Sequence, residues 1–489
     1  AEPPDAEGDE PLALSFTQRG ELQGMVADGR DNLVLTDQAG VVRLHYGGLL
    51  AYDAQQQPLP AWFEVQDAQV LVRVDDRSAD YPLTIDPWLQ ASKLTTSQGA
   101  DNDNLGSSVA VSADGSTVIV GARASSESAP GSSALYIYTR GESWVSTPLY
   151  TARLRADGAE HRYSSVAVSA DGSVVVAGTY GEDGNGDNSA VYVFVRPSDG
   201  WRDATQTAKL TASDAKDGDI LGSSVAVSAN GGTLAAGTPT DEDIALGPGA
   251  VYLYERPMVG WVDAIETAKL TASDGQDGDR FGRSVALSSD GSTLAAGAPY
   301  NDAGGDRLGA VYVYERPAGG WTTAIEDAKL TSSDGKNDEL LGISVALSSD
   351  GGTLAAGADW KDPGGDKLGS VYLYERPANG WATTKEVAML TASDGASGDR
   401  LGASVALNAD GDTLAAGAPG YDAGGDDHGA VYVYLRQDGS WTSTSDYNAR
   451  LTGSDSENDD WLGFSVALSA DGGTLVSGAL YHDAGGDDR

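Results

Sequence analysis

Ser284-Val285-Ala286-Leu287-Ser288-Ser289-Asp290-Gly291-Ser292-Thr293-Leu294-Ala295-Ala296-Gly297 reads as two short strands around a tight turn. Asp-Gly between two apolar runs is a strong short-range hairpin signal. Further out, Ala310-Val311-Tyr312-Val313-Tyr314 supplies a third strand after a longer loop. Pro317 and Gly319-Gly320 then turn the chain, and a fourth strand is expected near Trp321 or at Ala328-Lys329-Leu330. The whole string recurs. The glycine that opens each copy falls at Gly106, Gly222, Gly282, Gly342, Gly402 and Gly463, with Ser164 in that place in the second copy, a spacing of 58 to 61 residues. A period of this size, made of short strands and turns, predicts a closed β-propeller with one blade per repeat.

The expected fold is therefore all-β: a seven-bladed β-propeller over residues 91–489, preceded by a small antiparallel β domain at 13–90 and a flexible acidic lead-in at 1–12. The small domain rests on alternating runs such as Val41-Val42-Arg43-Leu44-His45-Tyr46 and Val70-Leu71-Val72-Arg73-Val74, about six strands in all. Tyr81 to Pro87, with two prolines, is expected to be a stiff junction. The small residues of the second strand suit a place near the crowded axis. The tyrosine pair of the third strand and Trp201, Trp261, Trp321, Trp381 and Trp441 suit the wider gaps between blades.

Phe281-Gly282 followed by Gly297-Ala298-Pro299, and Leu401-Gly402 followed by Gly417-Ala418-Pro419, carry a family resemblance. The chain resembles the FG-GAP repeat proteins, a group that includes the integrin α-subunit propeller and many bacterial surface proteins. Leu replaces Phe in most copies, and Tyr163-Ser164 stands for the Phe-Gly pair in the second. In integrin-like copies a calcium loop lies between strands one and two. Here Ser288-Ser289-Asp290-Gly291-Ser292 occupies that place and is too short to wrap six to eight oxygens around calcium. The family's offset between repeat and blade implies that Lys93-Leu94-Thr95 is the outer strand of the seventh blade. That blade would then lack strand three, so a truncated chain, or self-assembly in which a neighbour lends the strand, is expected. The start at Ala1-Glu2-Pro3-Pro4, without Met, points the same way, to a processed chain or a fragment.

There are 31 basic and 73 acidic residues, a net charge of −42. Such a surface repels nucleic acid and anionic headgroups. Cysteine is absent, which excludes disulfides, thiolate metal sites and cysteine nucleophiles. No run of 18 apolar residues exists, so no helix is expected to insert in a membrane. The four histidines have no nucleophile or metal-ligand spacing around them, so an enzyme is not expected.

Strand alternation places the loops between strands two and three on the same face as those leading to the next strand one. Both sets are acidic and Gly-rich. Calcium is the expected cofactor there, with Asp214, Asp217, Asp219, Asp274, Asp277, Asp279, Asp302, Asp306, Asp362, Asp366, Asp422 and Asp426 as candidate ligands. Carboxylates two or three residues apart are the hard oxygen donors calcium takes; the same residues are also ordinary turn formers. Residues that break the repeat are the candidate ligand contacts: Tyr163, Tyr180, Tyr300, Trp360, Tyr421, Trp461 and Tyr481, with His482 beside them. Exposed aromatics among carboxylates stack on sugars or anchor a protein partner. The expectation is an extracellular or cell-surface binding, adhesion or assembly protein, with a protein or carbohydrate partner. The alternative is a glycan-cleaving propeller using paired carboxylates.

Overall fold

The structure is a computed structural model that describes residues 12–17, 23–26, 33–36, 42–52, 59–66, 69–77, 79–81, 83–97, 104–123, 133–141, 143–157, 161–181, 189–216, 219–239, 247–302, 307–335, 338–361, 367–422, 427–437, 439–453 and 458–481. In the fourth copy, Ser284–Leu287 pairs with Thr293–Ala298, then Ala310–Glu315, then Ala328–Leu330, all antiparallel. The second strand is buried from end to end. Of the two places expected for the fourth strand, the chain uses Ala328. Trp321 packs back onto the hairpin instead, its Nε1–H donating to Gly291 O at 3.1 Å. The same bond joins Trp144 to Gly115, Trp201 to Gly172, Trp261 to Gly231, Trp381 to Gly351 and Trp441 to Gly411.

The turn itself is a small hydrogen-bonded unit. Ser288 Oγ accepts from Thr293 N at 2.9 Å and Ser292 N at 3.1 Å, and donates to Asp290 Oδ1 at 2.8 Å. Gly291 sits at φ +67°, a conformation that costs a side chain but not glycine.

Successive sheets are stitched into a ring. Backbone N–H groups donate from Ala113 to Ala170, Ala170 to Ala229, Ala229 to Ser289, Ser289 to Ser349, Ser349 to Ala409, Ala409 to Ala470, and Ala470 back to Ala113. Serine hydroxyls repeat the circuit nearby: Ser224 to Gly282 O, Ser284 to Gly342 O, Ser344 to Gly402 O, Ser404 to Gly463 O and Ser465 to Gly106 O. This is a β-propeller arrangement of small antiparallel sheets. First strands of neighbouring sheets touch one another, so they line the axis. The second strand lies one place further out, and its small residues serve a different end from the one expected. They let sheets approach closely: a Cβ on Gly297 would lie 1.9 Å from Gly342 O. Tyr312 and Tyr314 fill the gap to the preceding sheet, sharing a core with Val251, Leu253 and Leu270.

At the ring's seam the seventh sheet has two strands among the described residues, Leu462–Leu468 and Leu475–Ala479. Leu94 bridges Thr147, as Leu270 bridges Ala324, and Tyr138 Oη donates to Thr95 O at 2.7 Å, as Tyr314 Oη does to Thr271 O. Lys93-Leu94-Thr95 thus holds the fourth-strand place between the seventh and first sheets. Leu94, Ala467 and Val476 pack against one core there.

Ahead of the ring, Leu12–Thr17, Gln69–Val74 and Ala61–Gln66 form one sheet. Gln23–Val26, Leu33–Thr36, Val42–Tyr52 and Thr84–Gln90 form another. The stretch expected as a stiff junction therefore runs into a paired strand. Its hydrogen bonds go to Val42–Tyr52, so Pro87 is carried within a ladder rather than in a linker.

Candidate binding face

The two acidic loop sets do lie together. Parallel bridges join Gly249 to Phe281, Gly309 to Leu341, Gly369 to Leu401 and Gly429 to Leu462, tying the end of each long loop to the approach of the next first strand. Backbone on this face is strained. Arg280, Leu340, Arg400 and Trp461, each next to a bridged residue, take φ from +55° to +61° without being glycine. Such positions cost on the order of 1 kcal/mol or more each and persist where surroundings hold them.

Among the described residues, Asp214, Asp274, Asp334 and Asp394, each first in its approach loop, are spoken for. Asp274 Oδ1 accepts from Tyr312 Oη at 2.7 Å, and its Oδ2 pairs with Lys329 Nζ at 2.5 Å. Asp214 is bound in the same way by Tyr252 and Lys269. Burial alone would raise both carboxyls, but the lysine and tyrosine hydrogen bonds outweigh it and hold them below the usual range. Asp214 and Asp274, expected at a metal, thus anchor the next sheet's tyrosine and lysine.

The last acid of each loop is Asp219, Asp279, Glu339, Asp399 or Asp460. Asp219 Oδ2 accepts Lys216 N at 2.8 Å. Asp279, also expected at a metal, is buried, and its Oδ2 accepts from Gln276 N and Asn301 Nδ2. Burial pushes its pKa up. Asp277, Asp302 and Asp422 are exposed; Asp302 Oδ1 accepts Arg307 N at 2.8 Å and Asp422 Oδ1 accepts Asp427 N at 2.7 Å, each closing its own loop. Asp217, Asp306, Asp362, Asp366 and Asp426 lie outside the described residues. Among the described residues no group of three or more acidic or histidine side chains is placed to share a metal ion.

One junction breaks the pattern. Lys209, Lys269, Lys329 and Arg450 occupy one place in successive copies, but Met389 stands there in the fifth sheet. The missing charge comes from another element. Lys361, 1% exposed, pairs with Glu339, also 1% exposed, and reaches Asp334 Oδ2 at 3.1 Å. Tyr372 Oη donates to the same Asp334. In the next junction Asp394 is held by Tyr432, Tyr447 and Arg450. Neither Glu339 nor Lys361 was a candidate residue, although Met389 in a column of cations was a readable signal.

The aromatics divide. Tyr163 and Tyr421 are buried, so they do not offer surface: Tyr163 Oη accepts Ala156 N at 2.7 Å, and Tyr421 packs edge-on against Tyr432. The side chain of Tyr180 lies outside the described residues. Tyr300 lies under the Arg280 guanidinium at 4.3 Å and Trp360 under Lys367 Nζ at 3.8 Å. Trp461 and Tyr481 meet edge-to-face at 5.2 Å, and Phe464 stacks on Trp461 at 6.3 Å. Tyr481 is 38% and Phe464 36% exposed. Phe464 follows the core glycine, where the other copies carry Ser107, Ser223, Arg283, Ile343 and Ala403, and it was not anticipated.

Among the described residues no helix is long and apolar enough to cross a membrane. A family model described as FG-GAP repeat matches residues 88–138, 204–254, 265–314, 325–374 and 384–434, more than half of the chain. No curated protein matches the chain.

Proposed function

Because this chain belongs to the FG-GAP repeat family, we propose that it is an extracellular or cell-surface binding protein of adhesion or assembly type. Its partner, a carbohydrate or a protein, lies against the acidic loop face. The observation that carries this reading is the half-exposed aromatic cluster of Trp461, Phe464 and Tyr481 on that face. Aromatic side chains grouped at a surface offer flat apolar area with little entropy to lose on contact. Repeats found in integrin-like adhesion or binding proteins fit a scaffold whose loops vary while its hairpins do not.

The test is a printed polysaccharide and matrix-protein array, probed with the chain and with a Trp461→Ala/Tyr481→Ala variant of equal melting temperature. Spots bound by the first and lost by the second support the reading; no spots, or spots unchanged in the variant, overturn it. Recovery of bound polysaccharide at full length, against its shortening, separates retention from hydrolysis. Calcium stays a proposal for the stretches 303–306, 362–366 and 423–426, flanked by exposed Asp302 and Asp422. A melting temperature raised by calcium over chelator, and not by magnesium, supports it, since a ligand of the folded state stabilises by mass action. Equal melting temperatures remove it.

A further inference from the structure

Two neighbouring junctions have the same backbone and different occupants. Between the fourth and fifth sheets, Glu339 is satisfied twice: Ser332 Oγ donates to its Oε2 at 3.3 Å and the Lys361 ammonium to its Oε1. Lys361 Nζ also lies 3.4 Å from Asp334 O and 5.8 Å from the Tyr372 ring centre. Between the fifth and sixth sheets the Tyr–Asp pair is kept, as Tyr432 and Asp394, but three other residues change. Ala392 stands for Ser332, Tyr421 for Lys361, and the shorter Asp399 for Glu339.

The consequence is a buried carboxylate with half its capacity used. Asp399 is 2% exposed; its Oδ2 accepts Ala396 N at 2.8 Å, and its Oδ1 has no hydrogen-bond partner among the described residues. Beside it opens a pocket of about 300 Å³ lined by Leu368, Leu401, Tyr432, Thr391, Ser393 and Asp399 itself. Leu368, Leu401 and Tyr432 set beside the hydroxyls of Thr391, Ser393 and Ser445 and one buried acid make a mixed wall that can take an alkyl chain ending in a cation. We propose that this pocket binds a primary alkylammonium group, which donates to Asp399 and lays its stem on Leu368, Leu401 and Tyr432, taking the part that Lys361 plays one junction earlier.

Charge around the pocket favours that ligand. Asp394, Asp422 and Asp427 all act on Asp399 as negative neighbours, and burial together with that repulsion pushes its carboxyl up to about 6. An incoming ammonium relieves both causes. The cations of this junction are already engaged, Arg450 with Asp394 and Arg400 with Asp359. Anions are disfavoured on the same grounds, and neutral alcohols bring no charge to offset the carboxylate. The proposal concerns a pocket within one junction and does not depend on whether the aromatic cluster holds a partner.

The experiment is isothermal titration of the full chain with n-butylammonium, against n-butanol and tetramethylammonium as controls. Saturable one-site binding of butylammonium, absent with both controls and weakened at least tenfold by Asp399→Asn, is expected. No saturable heat, or heat equal in Asp399→Asn, overturns the proposal and makes the effect one of general surface charge. Tyr421→Lys gives a second, opposite test: an internal ammonium should raise the melting temperature and abolish butylammonium binding. A Tyr421→Lys chain that folds and still binds butylammonium as before also overturns it. Nα-acetyl-lysine methylamide distinguishes the sources. Binding of both probes assigns the pocket to a protein lysine, and binding of butylammonium alone assigns it to a small free amine.

Discussion

The two faces of the ring use the same amino acid to opposite ends. On the hairpin face, Asp114, Asp350 and Asp471 accept hydrogen bonds from the serine two residues before them, and from the backbone two residues after, and their carboxyls are held below the usual range. Asp114 is drawn down to about 2. On the loop face, Asp279, Asp359 and Asp399 are buried and their carboxyls are pushed up. The first set is scaffold, repeated almost unchanged. The second set is stressed, and its members meet different neighbours: Asn301 at Asp279, the Arg400 guanidinium at 2.7 Å from Asp359, and only the Ala396 N–H at Asp399. Uniform, satisfied carboxylates mark the part of this molecule that builds; varied, under-satisfied ones mark the part that differs from copy to copy.

The largest test of that contrast is Lys361→Met. Breaking a buried ion pair costs about 3–5 kcal/mol, because the partner charge is left buried and alone. Chemical denaturation should show that loss. It should be largely recovered by Glu339→Asp/Lys361→Asn/Met389→Lys, which rebuilds the Asp279–Asn301–Lys329 arrangement of the preceding junction. A triple variant no better than Lys361→Met would mean that the junctions are not interchangeable.

Next in size is Ser348→Ala on the hairpin face. Ser348 Oγ accepts from Gly352 N and Thr353 N; Gly352 N keeps Asp350 Oδ1, but loss of the hydroxyl leaves the buried Thr353 N–H unmet, at about 1–3 kcal/mol. Ser288→Ala should cost the same within error, since its bonds are the same. Unequal losses would break the picture of a uniform face.

The smallest effect has a sign set by pH. Asp399, at about 6 when folded, binds more protons in the native than in the unfolded state between about pH 4 and 6, so it lowers stability as pH rises through that window. Asp399→Asn should therefore raise the melting temperature by about 1–3 °C at pH 7.5 and change nothing below pH 4. Asp114→Asn should do the reverse: a loss at pH 7.5 that fades as pH falls from about 4 towards 2, where the native carboxyl itself takes up a proton.

The hairpins were legible because their reading is local. The side chains of Ser288 and Asp290 bond to residues within five positions, so their spacing in the string is their geometry. Lys93-Leu94-Thr95 was legible by repetition, since Leu94 bridges Thr147 as Leu270 bridges Ala324. The loop face was legible only as composition. Whether an aspartate there is a free ligand depends on Tyr312 and Lys329, 38 and 55 residues away from Asp274. Tyr163 and Tyr421 broke the repeat but were drawn inward, because a ring that departs from pattern can as readily fill a gap as leave one. Phe464 escaped notice for the opposite reason: an aromatic next to a core glycine reads as core.

The bond from Ser465 Oγ to Gly106 O spans 359 residues of chain. Each earlier sheet can settle on its predecessor as it forms, in the stepwise manner of repeat proteins. This seam cannot. It has to wait until about six copies are in place, and its closure entropy grows only slowly with that length. Ring closure is thus a late event in folding, and contacts formed late govern how slowly a protein comes apart rather than how fast it assembles. With its seam intact, the ring would persist by the slowness of one opening step.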